Sequence, residues 1–300
     1  MHPLQHPAVI REVERTASTH LGFPWHATGF TNLDDLASHP CGLFSGTALT
    51  VFAKLGDHDH FTAELQGLSL LRPSVRVPTP VATGIAQTDS GTLLLLEAEA
   101  AQEARTDDHW RSIGTTLATL HDVQAEHFGN TFDGFFGPLP QDNRPVTTNT
   151  WPDFYAERRL TPRLRSAVDS GHLPPDLAKK IEALIHRLPT LCGPEPTPSL
   201  LHGDAQQNNW LTTPTGAVLI DTAPYFGHPE IDLALLDYFE PVPAAAFEAY
   251  KEIRPIDPGF AERRELWRLY GYLAVVTVDG DSAFGRPFLA KVAEAIDAYR

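Results

Sequence analysis

Asp204, Asn209 and Asp221 are the residues of this chain whose types and spacing could do chemistry. The first two lie in Leu200-Leu201-His202-Gly203-Asp204-Ala205-Gln206-Gln207-Asn208-Asn209-Trp210, and the third ends the run Ala217-Val218-Leu219-Ile220-Asp221. Phosphoryl transfer needs a carboxylate that orients the attacking hydroxyl and accepts its proton, together with oxygen ligands that hold Mg²⁺ on the nucleotide phosphates. Asp204 suits the first task, and Asn209 with Asp221 the second. The spacing D-x-x-x-x-N is that of a kinase catalytic loop. Asp and Asn are also common turn residues, so the spacing alone says little. Its setting says more. Leu200-Leu201 and Trp210-Leu211 read as strand pieces flanking the loop, and Thr213-Pro214-Thr215-Gly216 as a turn. Ala217 to Ile220 is an apolar run of strand length that delivers the second acid.

Other elements must then position a nucleotide. Thr47-Ala48-Leu49-Thr50-Val51-Phe52-Ala53-Lys54-Leu55 is rich in β-formers and reads as a strand with a single lysine near its end. A lysine there could reach the phosphates if a carboxylate on a neighbouring helix held it. Glu64 is the candidate, because Phe61 to Leu71 has apolar residues at helical spacing. Taken alone, Lys54 would be a solvated strand-end lysine; Glu64 and the downstream loop favour the phosphate role. Gly91-Thr92-Leu93-Leu94-Leu95-Leu96-Glu97 reads as a buried strand leading to a hinge whose backbone would bind adenine. That places a boundary between a nucleotide-binding lobe, residues 1–98, and a catalytic and substrate-binding lobe, residues 99–300.

The remaining pattern is mostly helical. Pro7 to Leu21 has the spacing of a short amphipathic helix, after which Gly22, Pro24, Gly29 and Pro40 leave irregular structure or short strands. Val75 to Val81 is extended and proline-rich. Trp110, Ile113, Leu117, Leu120 and His121 share one helical stripe, where His121 reads as a structural histidine with no second ligand at metal spacing. Phe128 to Asn143 is a long Gly/Pro/Asn/Asp-rich loop of a kind that is often functional. Helices are expected over Trp151 to Val168, Pro175 to Leu188, Ile231 to Leu236, Ala244 to Ile253, Pro258 to Val278 and Ala283 to Tyr299. The fold class is α+β: a small strand-bearing N-lobe and a larger, mainly helical C-lobe.

Composition narrows the partners. Three hundred residues with 42% hydrophobic content can build a two-lobed packed protein. The 23 basic and 38 acidic residues give −15, which opposes nucleic acid and anionic membranes. The same charge would attract a cationic, amine-bearing substrate, or simply maintain solubility. The start Met1-His2-Pro3-Leu4-Gln5 lacks the pattern of a leader, and no run has the length of a membrane span, so a cytoplasmic protein is expected. Cys41 and Cys192 match no metal spacing and are expected to be free thiols.

At this point the chain resembles a known family. The lobe order with Lys54, Glu64, His202-Gly203-Asp204, Asn209 and Asp221 is similar to the aminoglycoside phosphotransferase and protein-kinase-like fold. More narrowly, it resembles the fructosamine kinase (ketoamine 3-kinase) branch. The segments that carry this are Phe128-Gly129, Gly137-Pro138-Leu139-Pro140-Gln141-Asp142-Asn143, Trp151-Pro152-Asp153-Phe154-Tyr155 with Arg158-Arg159-Leu160, and Tyr225-Phe226-Gly227-His228-Pro229-Glu230-Ile231-Asp232-Leu233-Ala234. Ala249-Tyr250, Asp257-Pro258-Gly259-Phe260 and Arg263-Arg264 add to them. The resemblance implies ATP and Mg²⁺ as cofactors, Asp204 as catalytic base, and Asn209 and Asp221 as metal ligands. Lys54 would contact the ATP phosphates with Glu64 as its ion-pair partner. Asp232 would brace the catalytic loop, and His202 would support it through hydrogen bonds.

Three departures stand out. Where the family has a Gly-rich turn with an Ile-Asn pair, this chain has Ser38-His39-Pro40-Cys41-Gly42-Leu43-Phe44-Ser45-Gly46. Ala205-Gln206 replaces Leu-Trp after the catalytic Asp, and Leu273-Ala274-Val275-Val276-Thr277 replaces Leu-Asn-His-Leu-Asn in a late helix. The expected function is therefore a small-molecule kinase acting on a hydroxyl of a sugar-like acceptor, with a ketoamine first. An antibiotic O-phosphotransferase acting on an aminoglycoside or a sugar-bearing nucleoside is the alternative. A nucleotide-binding pseudokinase is a second alternative, motivated by the glycine-poor loop. A protein kinase is disfavoured, because Asp221 runs directly into Thr222-Ala223-Pro224-Tyr225-Phe226-Gly227-His228 with little room for an activation loop.

Overall fold

The computed structural model describes residues 2–36, 39–102 and 104–299. By its contacts the chain forms two compact units: residues up to Ala104 with Leu211–Asp221, and Arg105–Trp210 with the residues from Thr222 onward.

The first unit opens with α1 (Pro7–Leu21), which starts on a proline, where a missing N–H costs nothing, and stops at Gly22 with φ 77°. Strands β1 (Ala27–Asn32), β2 (Cys41–Gly46) and β3 (Thr50–Gly56) follow, then α2 (His58–Leu71), β4 (Pro80–Thr88) and β5 (Gly91–Glu97). The five strands form one antiparallel sheet in the order β1-β2-β3-β5-β4. Asp57 caps α2, its carboxylate accepting from the backbone N–H of Asp59 and His60. Strand alternation divides β3 between two faces. Val51, Ala53 and Leu55 enter a core with Val9, Val13 and Ala17 of α1 and Leu93 and Leu95 of β5. Phe52 and Lys54 are thereby left on the other face. β5 is buried from Leu93 through Leu96, which explains its unbroken apolar run.

The Leu211–Asp221 segment joins this unit although it lies far along the chain. Its strands, Trp210–Thr213 and Gly216–Leu219, pair with each other. Backbone bonds tie it down: Gln102 N–H donates to Thr212 O at 2.8 Å, and Leu219 N–H to Arg76 O at 3.1 Å.

The second unit is mainly helical. Its helices are α3 (Asp107–His121), α4 (Trp151–Phe154), α5 (Thr161–Asp169), α6 (Pro175–Ile185), α7 (Leu188–Leu191), α8 (Glu230–Leu236), α9 (Ala244–Ile253), α10 (Phe260–Asp279) and α11 (Arg286–Asp297). The helix expected over Trp151 to Val168 is interrupted by a π-helical segment, Tyr155–Leu160, between α4 and α5. The helix expected to run to Leu188 stops at Ile185, and Leu188 starts a separate turn with Pro189 in its first positions. α3 lies close against α9: a Cβ on Gly114 would sit 1.9 Å from Ala246 O, so only glycine permits that approach.

The centre of this unit is aromatic. Trp151 stacks on Phe154 and Tyr155 and meets Trp267 and His228 edge-on. The π-helical segment carries Arg159, fully buried, with its guanidinium 3.9 Å from the Tyr225 ring centroid. Arg159 donates to Asp142 O at 2.8 Å and Asn143 Oδ1 at 2.7 Å, which anchors the loop expected over 128–143. That loop contains a small hairpin, Gly134–Phe136 with Leu139–Gln141. Among the described residues no helix is long and apolar enough to cross a membrane.

Candidate active site

In the first unit the structure brings Lys54, Glu64 and Asp221 together. Lys54 leaves β3 on the face away from α1, and its Nζ lies 3.4 Å from Glu64 Oε1 of α2 while also donating to Asp221 Oδ1. The lysine and Glu64 side chains are 8% and 9% exposed, whereas Asp221 is 39% exposed. Asp221 follows the Gly216–Leu219 strand and has φ 50°, a left-handed conformation that Asp tolerates better than most residues. Burial alone would pull the Lys54 ammonium down, but the Glu64 and Asp221 carboxylates outweigh it and hold the group well above its ordinary value. Burial pushes Glu64 upward, against the pull of Lys54. One ammonium thus serves a deep carboxylate and a partly exposed one.

These three groups form the polar end of a cavity of about 520 Å³. Its walls include Leu43, Phe52 and Leu96, and the Glu97–Ala101 segment that was expected to be a hinge lines one side. An apolar cleft with a few convergent polar groups is the usual form of a small-molecule site. Cys41 lies on the wall, 1% exposed, its thiol pushed up by burial and donating to Leu33 O. In the stretch 38–46, which stands where the family has its Gly-rich turn, Cys41–Gly46 is β2, paired on both sides in the sheet, and Ser38 lies outside the described residues.

In the second unit the loop that carries Asp204 and Asn209 is built around Asp232 of α8. Its carboxylate accepts from His202 N–H at 2.7 Å and Gly203 N–H at 3.0 Å, and it meets His121 Nε2 at 3.1 Å. His121 is closed off on its other side by the Tyr250 hydroxyl at 2.9 Å, the structural role anticipated for it. Gly203 has φ 83°, and a Cβ there would lie 1.9 Å from Ala223 O, so the turn into Asp204 requires glycine. His202 supports the loop at both ends: its Nδ1 accepts from Asp204 N–H at 3.3 Å, and its Nε2 lies 3.3 Å from Asn209 O. Asn209 is 6% exposed and donates through Nδ2 to Asp204 O and Asp204 Oδ2, each at 2.9 Å.

Two contributors had no local signal. Arg105 donates to Gln207 O at 2.6 Å and fixes the loop from the start of the helical unit. Gln206 was noted only as a departure from the family; its amide reaches Asn209 Oδ1 at 3.0 Å. Among the described residues no group of three or more His, Cys, Asp or Glu side chains could hold a metal.

The fructosamine kinase family model matches residues 10–299. A probable ketoamine kinase of Synechocystis sp. is 35% identical over 219 residues, 71% of each chain. A crystal structure provisionally assigned as a fructosamine-3-kinase of Thermobifida fusca is 31% identical with a TM-score of 0.80, covering 96% of this chain and 99% of that one. A thermostable mutant of aminoglycoside phosphotransferase APH(4)-Ia, in complex with ADP and hygromycin B, is 14% identical with a TM-score of 0.62 over 96% and 98% of the two chains, a likeness of fold. With the family model spanning nearly the whole sequence, the chain belongs to the fructosamine kinase family and is a small-molecule phosphotransferase acting on a hydroxyl group.

Proposed function

We propose that the chain is a kinase that uses ATP and Mg²⁺ to phosphorylate a sugar hydroxyl of a ketoamine. Asp204 is the catalytic base, Lys54 contacts the ATP phosphates with Glu64 as its partner, and Asn209 and Asp221 are the metal ligands. The observation that carries this reading is Lys54, shared by Glu64 and Asp221 at the polar end of an apolar cavity. In this reading residues 1–98 bind nucleotide, with Asp221 added by the Leu211–Asp221 segment, and residues 99–300 supply the base and the acceptor site. The ADP complex of APH(4)-Ia supports nucleotide use by the fold.

The donor set fits Mg²⁺, because a carboxylate and an amide oxygen are the hard ligands that this ion takes. Bound there, Mg²⁺ would neutralise charge on the transferring phosphoryl group. The remaining work falls to the chain. Lys54 offers an ammonium held protonated by two carboxylates, suited to phosphate oxygens. Asp204 orients the acceptor hydroxyl and takes its proton as the oxygen bonds to the γ-phosphorus. The bond from that phosphorus to the bridging oxygen breaks, and ADP leaves with the electron pair. Most of the acceleration comes from positioning and fixed charge.

Family membership favours a ketoamine acceptor, and the −15 charge suits one that carries an amine. One observation favours an antibiotic acceptor instead. Ala274 is buried and Val275 half-buried in α10, so apolar side chains stand where the family has Asn and His. Both readings are tested by phosphate transfer from ATP, read by mass spectrometry, against a fructosamine, a ribulosamine, aminoglycosides and sugar-bearing nucleosides. A phosphate gained by the ketoamines is the expected result. Gain on an antibiotic alone would establish the second reading, and no transfer to any of them would overturn both.

A further inference from the structure

We infer that Gln206 is a positioning residue for the metal ligand Asn209, a role that rests on Asn209 holding Mg²⁺ as proposed above. The Asn209 side chain can be accounted for hydrogen by hydrogen. Both Nδ2 hydrogens go to Asp204, one to its carbonyl and one to its carboxylate. Reversing the amide would set Oδ1 against that carboxylate, so the orientation is fixed by chemistry. The amide oxygen has two lone pairs. Gln206 Nε2 donates to this oxygen at 3.0 Å and takes one of them. A single lone pair is left for a cation, and its direction is set by the bond that Gln206 makes.

Gln206 is itself held. It precedes the short 3₁₀ turn Gln207–Asn209, and its Oε1 accepts from Asn208 N–H at 3.2 Å. With its oxygen bound to the turn, its N–H₂ end is directed at Asn209. The resulting chain runs from Gln206 to Asn209 to Asp204, so one glutamine fixes both the ligand oxygen and the amide that orients the base. Partners behind a metal ligand commonly matter about 10–100-fold in metal affinity. Gln206 occupies the position where the family has Trp, which cannot make both of these bonds, so this chain has its own way of holding the asparagine.

The test is Mn²⁺ binding to the ADP-loaded protein, followed by electron paramagnetic resonance and titration calorimetry, in Gln206→Leu, Gln206→Ser and Asn209→Leu. Gln206→Leu loses both bonds, whereas the serine hydroxyl can still cap the turn but cannot reach Asn209. The inference predicts that both Gln206 variants weaken Mn²⁺ binding by about tenfold. Metal-free ADP affinity should stay at the wild-type level in both, and Gln206→Ser, which keeps the cap, should also keep wild-type thermal stability. If Gln206→Leu alone weakens Mn²⁺ binding, the effect comes from the turn cap and the inference fails. If neither Gln206 variant changes it while Asn209→Leu does, Gln206 has no such role and Asn209 keeps its own. If Asn209→Leu leaves Mn²⁺ affinity intact, the assignment of Asn209 as a ligand fails, and the inference fails with it.

Discussion

Asn209 gives both of its amide hydrogens to Asp204, one to the main-chain carbonyl and one to carboxylate Oδ2, each at 2.9 Å. The residue proposed to hold the metal therefore also sets the rotamer of the residue proposed as base. Asn209→Ala should lower kcat by at least about a hundredfold, because a small misplacement of a catalytic group has that cost. Metal-free ADP binding should be unchanged. Steady-state kinetics with calorimetry would check both.

Asp232 accepts from two consecutive backbone amides and from His121, all buried. Removing an acceptor leaves each buried donor with a penalty of about 1–3 kcal/mol. Asp232→Ala should therefore destabilise the protein by about 3 kcal/mol or more in urea unfolding, at the upper end for a single residue. Asp232→Asn, which keeps one accepting oxygen, should fall between it and the wild type.

Lys54→Met would leave Glu64 buried without its cation, while the more exposed Asp221 would turn to water. Breaking a buried pair in this way costs about 3 kcal/mol near pH 7.5. Burial already raises Glu64, and losing Lys54 raises it further. The folded variant then binds a proton that the unfolded chain does not, so its stability falls as pH rises. The deficit relative to wild type should shrink as pH falls toward the unfolded glutamate value of about 4.3. Urea midpoints of both proteins across that range would show it.

How much of this was legible in the sequence depended on how local each feature is. The loop from Asp204 to Asn209 was legible because the two residues are bonded within a single turn, so the spacing, read with the strand pieces that flank it, points to the contact. Helices α1, α8 and α9 and strand β5 have near-complete periodicity or unbroken apolar runs, and their ends were anticipated within a residue. β1 and β2 were not resolved from irregular structure. β1 is mostly exposed and both strands contain glycine, so neither shows a clear period; pairing of β1 with β2 and of β2 with β3 makes them strands. The π-helical segment was hidden for a similar reason. Nothing local distinguishes Tyr155–Leu160 from α-helix, and the contact its Arg159 makes with Tyr225 lies 66 positions away in sequence. The Lys54–Asp221 bond spans 167 positions and was expected only as a shared task.

His228 supplies an acid-sensitivity prediction. Burial, with Arg263 nearby, pulls its imidazole down to about 3 from an ordinary 6.5. It sits against Trp151 and Trp267, with Nδ1 accepting from Glu230 N–H at 3.2 Å. Between those two values the unfolded chain binds a proton that the folded chain refuses. Its contribution to stability is therefore complete above 6.5 and is lost as pH falls toward 3. The slope from this group is at most about 1.4 kcal/mol per pH unit. Urea unfolding at about pH 7.5 and about pH 5 should show a smaller difference in His228→Gln than in wild type.

The most direct test of the account is the rate of phosphate transfer from ATP to a fructosamine by wild type and Asp204→Asn, with ADP affinity measured in both. If Asp204 is the base, the variant loses about a thousandfold in kcat and keeps its ADP affinity. Transfer by Asp204→Asn at the wild-type rate would contradict the central claim.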